Sequence, residues 1–146
     1  MVIKRILIIL LLLPLIGLGQ NQEALLSSNI KHLERAKKEI ISIKSKYDLF
    51  GSCVADSCKE ALKRNPEVSF LMKINDKLDG KKTCSKIISR YFHPNGVIRQ
   101  VTILAENYQL NYEILYEAHI ASDGKITSEG FSFYNKKQQY FIDFQE

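Results

Sequence analysis

The hydrophobic rhythm of this chain changes twice. Residues 1–19, MVIKRILIILLLLPLIGLG, are an almost unbroken apolar run behind Lys4 and Arg5. Over residues 22–47 the apolar positions fall at helical spacing: Leu26, Leu33, Ile40 and Tyr47 stand seven residues apart, with Ile30, Ala36 and Ile43 in the same stripe. Lys31, Glu34, Arg35, Lys37, Lys38, Glu39, Lys44 and Lys46 form a polar back, expected to face water, with Glu34 four residues before Lys38 as a favourable pair. Asn21 is placed to cap the first turn and Gly51 to follow the last. A helix of about 26 residues would reach about 39 Å, long enough to lie across a sheet. With only about three heptads and Lys37 in the second apolar column, packing on the chain's own strands is expected before a coiled-coil dimer.

A connector at residues 51–66 contains Cys53 and Cys58, and a short helix is predicted there from Asp56 or Ser57 through Arg64, ended by Pro66. Beyond Pro66 the period becomes two. Val68, Phe70, Met72 and Ile74 alternate with Ser69, Leu71, Lys73 and Asn75, Asp79-Gly80 supplies a turn, and residues 83–92 read as the return strand. His93-Pro94-Asn95-Gly96 is a strong hairpin signal, because it separates two apolar, β-branched runs. Residues 97–105 form the next strand. Leu110, Tyr112, Ile114, Tyr116, Ala118 and Ile120 then point one way against Asn111, Glu113, Glu117 and His119. Asp123-Gly124 turns the chain into residues 126–134, and residues 135–137 turn it into residues 139–144.

These elements predict an α+β fold, a long N-terminal helix (22–47) packed on a curled antiparallel meander of five or six strands (68–144) within one domain, residues 20–146. Curling is expected because 11 of the 14 aromatic residues fall in residues 91–144 and some strands are apolar on both faces.

The leader has the grammar of an export signal: a cationic start, an apolar run over residues 6–16 broken at Pro14, and small Gly17 and Gly19 before the cleavage point. Its apolar run is shorter than the ~20 residues of a bilayer span. Cleavage after Gly19 is therefore expected, leaving a chain without a permanent membrane span in the periplasm or outside the cell. The net charge of +5 falls to +3 once Lys4 and Arg5 are removed. What remains is unevenly placed: residues 31–90 carry 15 basic and 8 acidic side chains, residues 91–146 only 4 and 7. The basic half is either a solvated surface or one that meets a lipid headgroup, a surface polysaccharide or an acidic protein. Nucleic acid is not expected, since the basic residues lack interleaved aromatics.

With Cys53, Cys58 and Cys84 in an oxidising compartment, at most one internal disulfide can form and one thiol is left over. Closing Cys53 to Cys58 removes roughly 2 kcal/mol of unfolded-chain entropy, against roughly 3.5 kcal/mol for either with Cys84. Proximity and the small, polar segment GSCVADSC favour Cys53 with Cys58. Cys84 is then free, or an alternative partner.

The segment Tyr91-Phe92-His93-Pro94-Asn95-Gly96-Val97-Ile98, behind a leader ending Gly-Leu-Gly-Gln, resembles small, largely uncharacterised exported proteins of Gram-negative bacteria that join an N-terminal helix to Tyr-Phe-x-x-Asn-Gly hairpins. The resemblance covers residues 91–144 and implies an envelope address and a fold class. One helix laid on a curled sheet is also similar in shape to cystatin-like folds, but no inhibitor-type loop matches.

Catalytic signals are sparse. There is no His-Glu-x-x-His pair, phosphate loop, Gly-x-Ser-x-Gly elbow or acidic cluster, so no metal or cofactor is expected. His32, His93 and His119 read as surface residues, and the one enzymatic alternative joins Cys84 to a histidine as nucleophile and base. Tyr108, Tyr112, Tyr116, Tyr134 and Tyr140 could stack on a sugar or anchor a protein interface wherever they lie on the face away from the helix. The chain thus reads as an exported, non-enzymatic binding protein, its expected partner an envelope or extracellular protein. The alternative is a carrier of a small apolar ligand or lipid, held in a pocket between helix and sheet.

Overall fold

The period-two alternation after Pro66 becomes six strands. In the computed structural model, which describes residues 27–137 and 140–145, β1 (Phe70–Leu78), β2 (Lys81–Phe92), β3 (Ile98–Asn107), β4 (Tyr112–Ile120), β5 (Ile126–Asn135) and β6 (Tyr140–Gln145) pair as neighbours in chain order. Every pairing is antiparallel. The fold is α+β with a six-stranded meander, its edges at β1 and β6. Among the described residues two helices precede it: α1 over residues 27–46 and α2 (Asp56–Arg64). The leader, Asn21 and residues 22–26 lie outside the described residues. Chain contacts divide into two units, Met1–Arg35 and Ala36–Glu146, with the boundary inside α1. In the described part of the first, Asn29 is buried and Ile30, expected in the apolar stripe, is 45% exposed.

The second unit holds the sheet. Its inner face is built by side chains two apart on each strand: Val101, Ile103 and Ala105 on β3, Tyr112, Ile114, Tyr116 and Ala118 on β4, Phe131 and Phe133 on β5, all buried. Tyr116 sits opposite Phe131 with ring centroids 5.2 Å apart, and the Tyr112 and Phe133 rings are 5.5 Å apart. Tilted rings at this spacing gain contact beyond simple area burial. Ala36, Ile40 and Ile43 of α1 are buried at positions four and three apart, the amphipathic stripe the sequence predicts.

Lys44 departs from expectation. Its place on the helix predicts a solvated side chain, yet three-quarters of it is buried: the ammonium lies 2.7 Å from Glu129 Oε1 and 4.6 Å from the centre of the Tyr116 ring. Tyr116 donates its hydroxyl to the same carboxylate oxygen at 2.6 Å. The hydrogen bond from Lys44, then that from Tyr116, hold the Glu129 carboxyl below its ordinary range against the opposing effect of burial. A long lysine stem reaches over apolar surface and delivers its charge to a partner on another element.

The turns follow residue chemistry closely. Asp79 and Gly80 both take positive φ, 50° and 75°, so β1 and β2 join through a tight two-residue turn. The other two Gly turns share a second pattern. His93 N–H bonds Val97 O at 2.8 Å, Gly96 N–H bonds His93 O at 2.9 Å, and Gly96 has φ 84°. Ala121, Lys125 and Gly124 repeat these bonds, with φ 88° at Gly124. Each carries an Asx acceptor, Asn95 Oδ1 for Val97 N–H and Asp123 Oδ1 for Lys125 N–H. The β3–β4 connection differs from the sequence expectation: Leu110 lies in the turn, because Asn111 adopts φ 54° and Asn107 Oδ1 accepts from the N–H groups of Gln109 and Leu110. β4 therefore begins at Tyr112.

Candidate binding groove

Cys53 and Cys58 form the disulfide, with Cα atoms 5.8 Å apart, and Cys84 is the free cysteine. The bond ties the segment before α2 to its first turn, where Asp56 meets the helix dipole and Ala55 occupies the N-cap without a side-chain hydrogen bond. Asn65 stops the helix in extended conformation, its Oδ1 accepting from Glu67 N–H at 3.0 Å, and Pro66 follows. Glu67 then pairs with Arg99 of β3 at 2.8 Å. At the other side of the same segment Cys53 N–H donates to Gly96 O at 2.7 Å, so the disulfide loop leans on the β2–β3 turn. Gly96 permits this contact: a Cβ there would stand 3.2 Å from Cys53 O, on a residue whose φ is already positive.

Between α2 and that turn runs a groove of about 450 Å³. Leu62, Pro66, Pro94 and Cys53 give it an apolar floor, and Lys59 and Lys63 stand on its rim with Asn95 and Gly96 opposite. Lys63 pairs with Glu60 at 2.9 Å on the exposed side of the helix, whereas Lys59 has no ion-pair partner among the described residues. The turn wall is braced from behind: Asn95 Nδ2 donates to Ser122 O at 3.1 Å and His93 Nε2 lies 2.7 Å from Ile120 O. An apolar floor, two ammonium groups and a rigid wall suit an extended, acidic segment that buries one or two apolar side chains.

The tyrosines singled out in the sequence are dispersed. Tyr112 and Tyr116 are 2% and 0% exposed and belong to the inner core, Tyr108 is 41% exposed at a turn, Tyr134 is half-buried on β5, and the side chain of Tyr140 lies outside the described residues. Cys84, on β2, is half-buried; burial pushes its thiol up, reinforced by Glu39, and the other groups acting on it are Lys86, Asp76 and Thr83. His93 is engaged with Ile120, and His119 pairs with Glu117 on the outer face of β4. That face holds a shallow polar hollow of about 260 Å³ lined by Glu117, His119, Ser128, Ser132 and Asp143. Among the described residues no three His, Cys, Asp or Glu side chains are grouped to hold a metal ion, and no helix is long and apolar enough to cross a membrane.

Sequence reasoning missed Lys59, Lys63, Pro66 and Pro94 as a group. The only available signals were the helix-stopping proline, the turn proline and the basic side chains on α2, and nothing in their spacing brings Pro94 to Pro66. No protein family, curated protein or solved structure matches the chain.

Proposed function

We propose that this chain is an exported, non-enzymatic binding protein of the periplasm or cell exterior, and that its partner is another protein. The groove between α2 and the β2–β3 turn carries this reading, with its floor of Leu62, Pro66 and Pro94 and its rim of Lys59 and Lys63. It is open, preorganised by a disulfide and several turn hydrogen bonds, and charged in the sense opposite to an acidic peptide segment. A disulfide at Cys53–Cys58 suits an oxidising compartment, in keeping with the export signal read in residues 1–19. Tyr108, Tyr112, Tyr116 and Tyr134 do not line this groove and play no part in the reading.

The carrier alternative draws less support. Tyr112, Tyr116, Phe133, Ile103 and Ile114 are fully buried in the layer it would need. The cleft between α1 and β1–β2, about 210 Å³, sets Glu39, Lys46, Asp76 and Lys86 beside Ile43, Tyr47 and Ile74, so its lining is not the purely apolar one a lipid needs.

A photo-crosslinking residue at Val54, which is 75% exposed beside Cys53, tests the reading in intact cells. The expected result is one discrete crosslinked protein that disappears on charge reversal by Lys59→Glu with Lys63→Glu. Crosslinks unchanged by the reversal refute the groove as the binding site.

A further inference from the structure

The turns at the opposite end of the sheet build a second surface. The β1–β2 tip reads Lys77-Leu78-Asp79-Gly80-Lys81-Lys82, and its register sets Leu78 against Lys81 and Lys77 against Lys82. The positive φ values of Asp79 and Gly80 close this turn so tightly that Leu78 is left 59% exposed at the tip. The neighbouring β3–β4 turn brings up Tyr108. Its N–H donates to Thr83 O at 2.9 Å, and its 41% exposed ring lies 5.4 Å from the Lys82 ammonium. A hollow of about 310 Å³ separates the two turns. Asn107, 5% exposed, fixes the Tyr108 turn through its two backbone hydrogen bonds.

Charge at this end is also sorted. Lys136 is engaged by Glu106 and Glu113 at 3.1 and 3.2 Å, the hydrogen bond with Glu106 being the larger of two that raise its ammonium above the ordinary lysine range. Lys77, Lys81 and Lys82 have no carboxylate within ion-pair distance among the described residues, and Asp79 is the single acid of the tip.

We propose that this end of the sheet docks peripherally on an anionic lipid surface, Leu78 and Tyr108 resting at headgroup depth and Lys77, Lys81 and Lys82 lying over lipid phosphates. A soluble anion would use the lysines and could use the ring, but it gives an exposed leucine at the apex of a charged hairpin nothing to enter. A bilayer interface satisfies all three chemistries: it takes the apolar tip, accommodates an amphipathic tyrosine with its hydroxyl wet, and attracts ammonium groups. β2 runs the length between the two ends, about 36 Å at 3.3 Å per residue, so the groove beside the β2–β3 turn stays clear of the membrane. The inference does not depend on what the groove binds.

Hydrogen exchange of the full chain, with and without vesicles of equimolar phosphatidylglycerol and phosphatidylcholine, tests it locally. The expected result is slower exchange at residues 77–83 and 108–110 with anionic vesicles and no change with pure phosphatidylcholine. Each lysine contributes about fivefold to vesicle affinity near physiological ionic strength, so Lys81→Glu with Lys82→Glu lowers it by about 25-fold or more. Leu78→Ser lowers it by about tenfold while leaving the retention of a soluble acidic oligosaccharide unchanged. These substitutions are on exposed side chains, and an unaltered circular dichroism spectrum verifies that the sheet persists. Unprotected turns with anionic vesicles, full affinity in Leu78→Ser, or protection by the acidic oligosaccharide alone overturns the proposal, the last in favour of a glycan site.

Discussion

Removing either end of the Lys44–Glu129 contact tests whether this pair holds residues 36–46 of α1 on the sheet. The Nζ···Oε1 separation is 2.7 Å, and the two side chains are 26% and 23% exposed. Opposite charges at that distance attract by about 6 kcal/mol in an effective dielectric of about 20, before desolvation. Hydrogen bonds to charged groups retain about 1.5–3 kcal/mol net. With part of each side chain still in water, a coupling of about 1–2 kcal/mol is expected at pH 7. The sign of its pH dependence follows from Glu129. Its carboxyl is lowered from an ordinary value of 4.5 in the folded state, so the stabilisation is complete above that value and is lost as pH falls through the lowered one. Urea unfolding of wild type, Lys44→Ala, Glu129→Gln and the double variant gives the coupling as a double-mutant cycle. A coupling below about 0.3 kcal/mol at pH 7, or one that grows on acidification, refutes the argument.

Three further outcomes are expected. Phe133→Ala removes a fully buried ring packed on Tyr112 and destabilises by about 3–5 kcal/mol in the same unfolding assay. Gly96→Ala places a methyl group 3.2 Å from Cys53 O at φ 84°; it costs about 1–2 kcal/mol and disturbs amide resonances of the disulfide loop as well as of the turn. Cys84 reacts slowly with iodoacetamide at neutral pH and faster as pH rises towards and beyond 9.0, because burial raises its thiol above that ordinary value; rapid labelling at pH 7 would instead mark an activated nucleophile.

The sheet was legible because its strands obey one rule at a time. Tyr112, Ile114, Tyr116 and Ala118 share parity, and the structure buries that whole face, so Tyr112 and Tyr116, expected as possible binding residues, belong instead to the core. The Asx-Gly turns were legible for the same reason: a short side-chain acceptor and a residue tolerant of positive φ act within four residues. Asn111 lacks the glycine that marked the other turns, and the alternation through Leu110 masked it. Lys44 was misread because helical periodicity reports which way the Cβ points, not where a four-carbon stem can carry its charge. The groove was invisible for a topological reason. Its walls, Lys59 to Pro66 and Pro94 to Gly96, are tied together by flanking residues, through the Cys53–Gly96 hydrogen bond and the Glu67–Arg99 pair, neither of which leaves a periodic trace.

The claim on which the functional account rests is that the disulfide-braced groove holds the partner. The most direct test measures the affinity of the protein captured from Val54 for the wild-type chain and for Cys53→Ser with Cys58→Ser, at a temperature where circular dichroism shows the sheet of both intact. Freeing the loop before α2 is predicted to weaken binding at least about tenfold, since a disordered wall must be reordered on association. Equal affinity for the two proteins would contradict it.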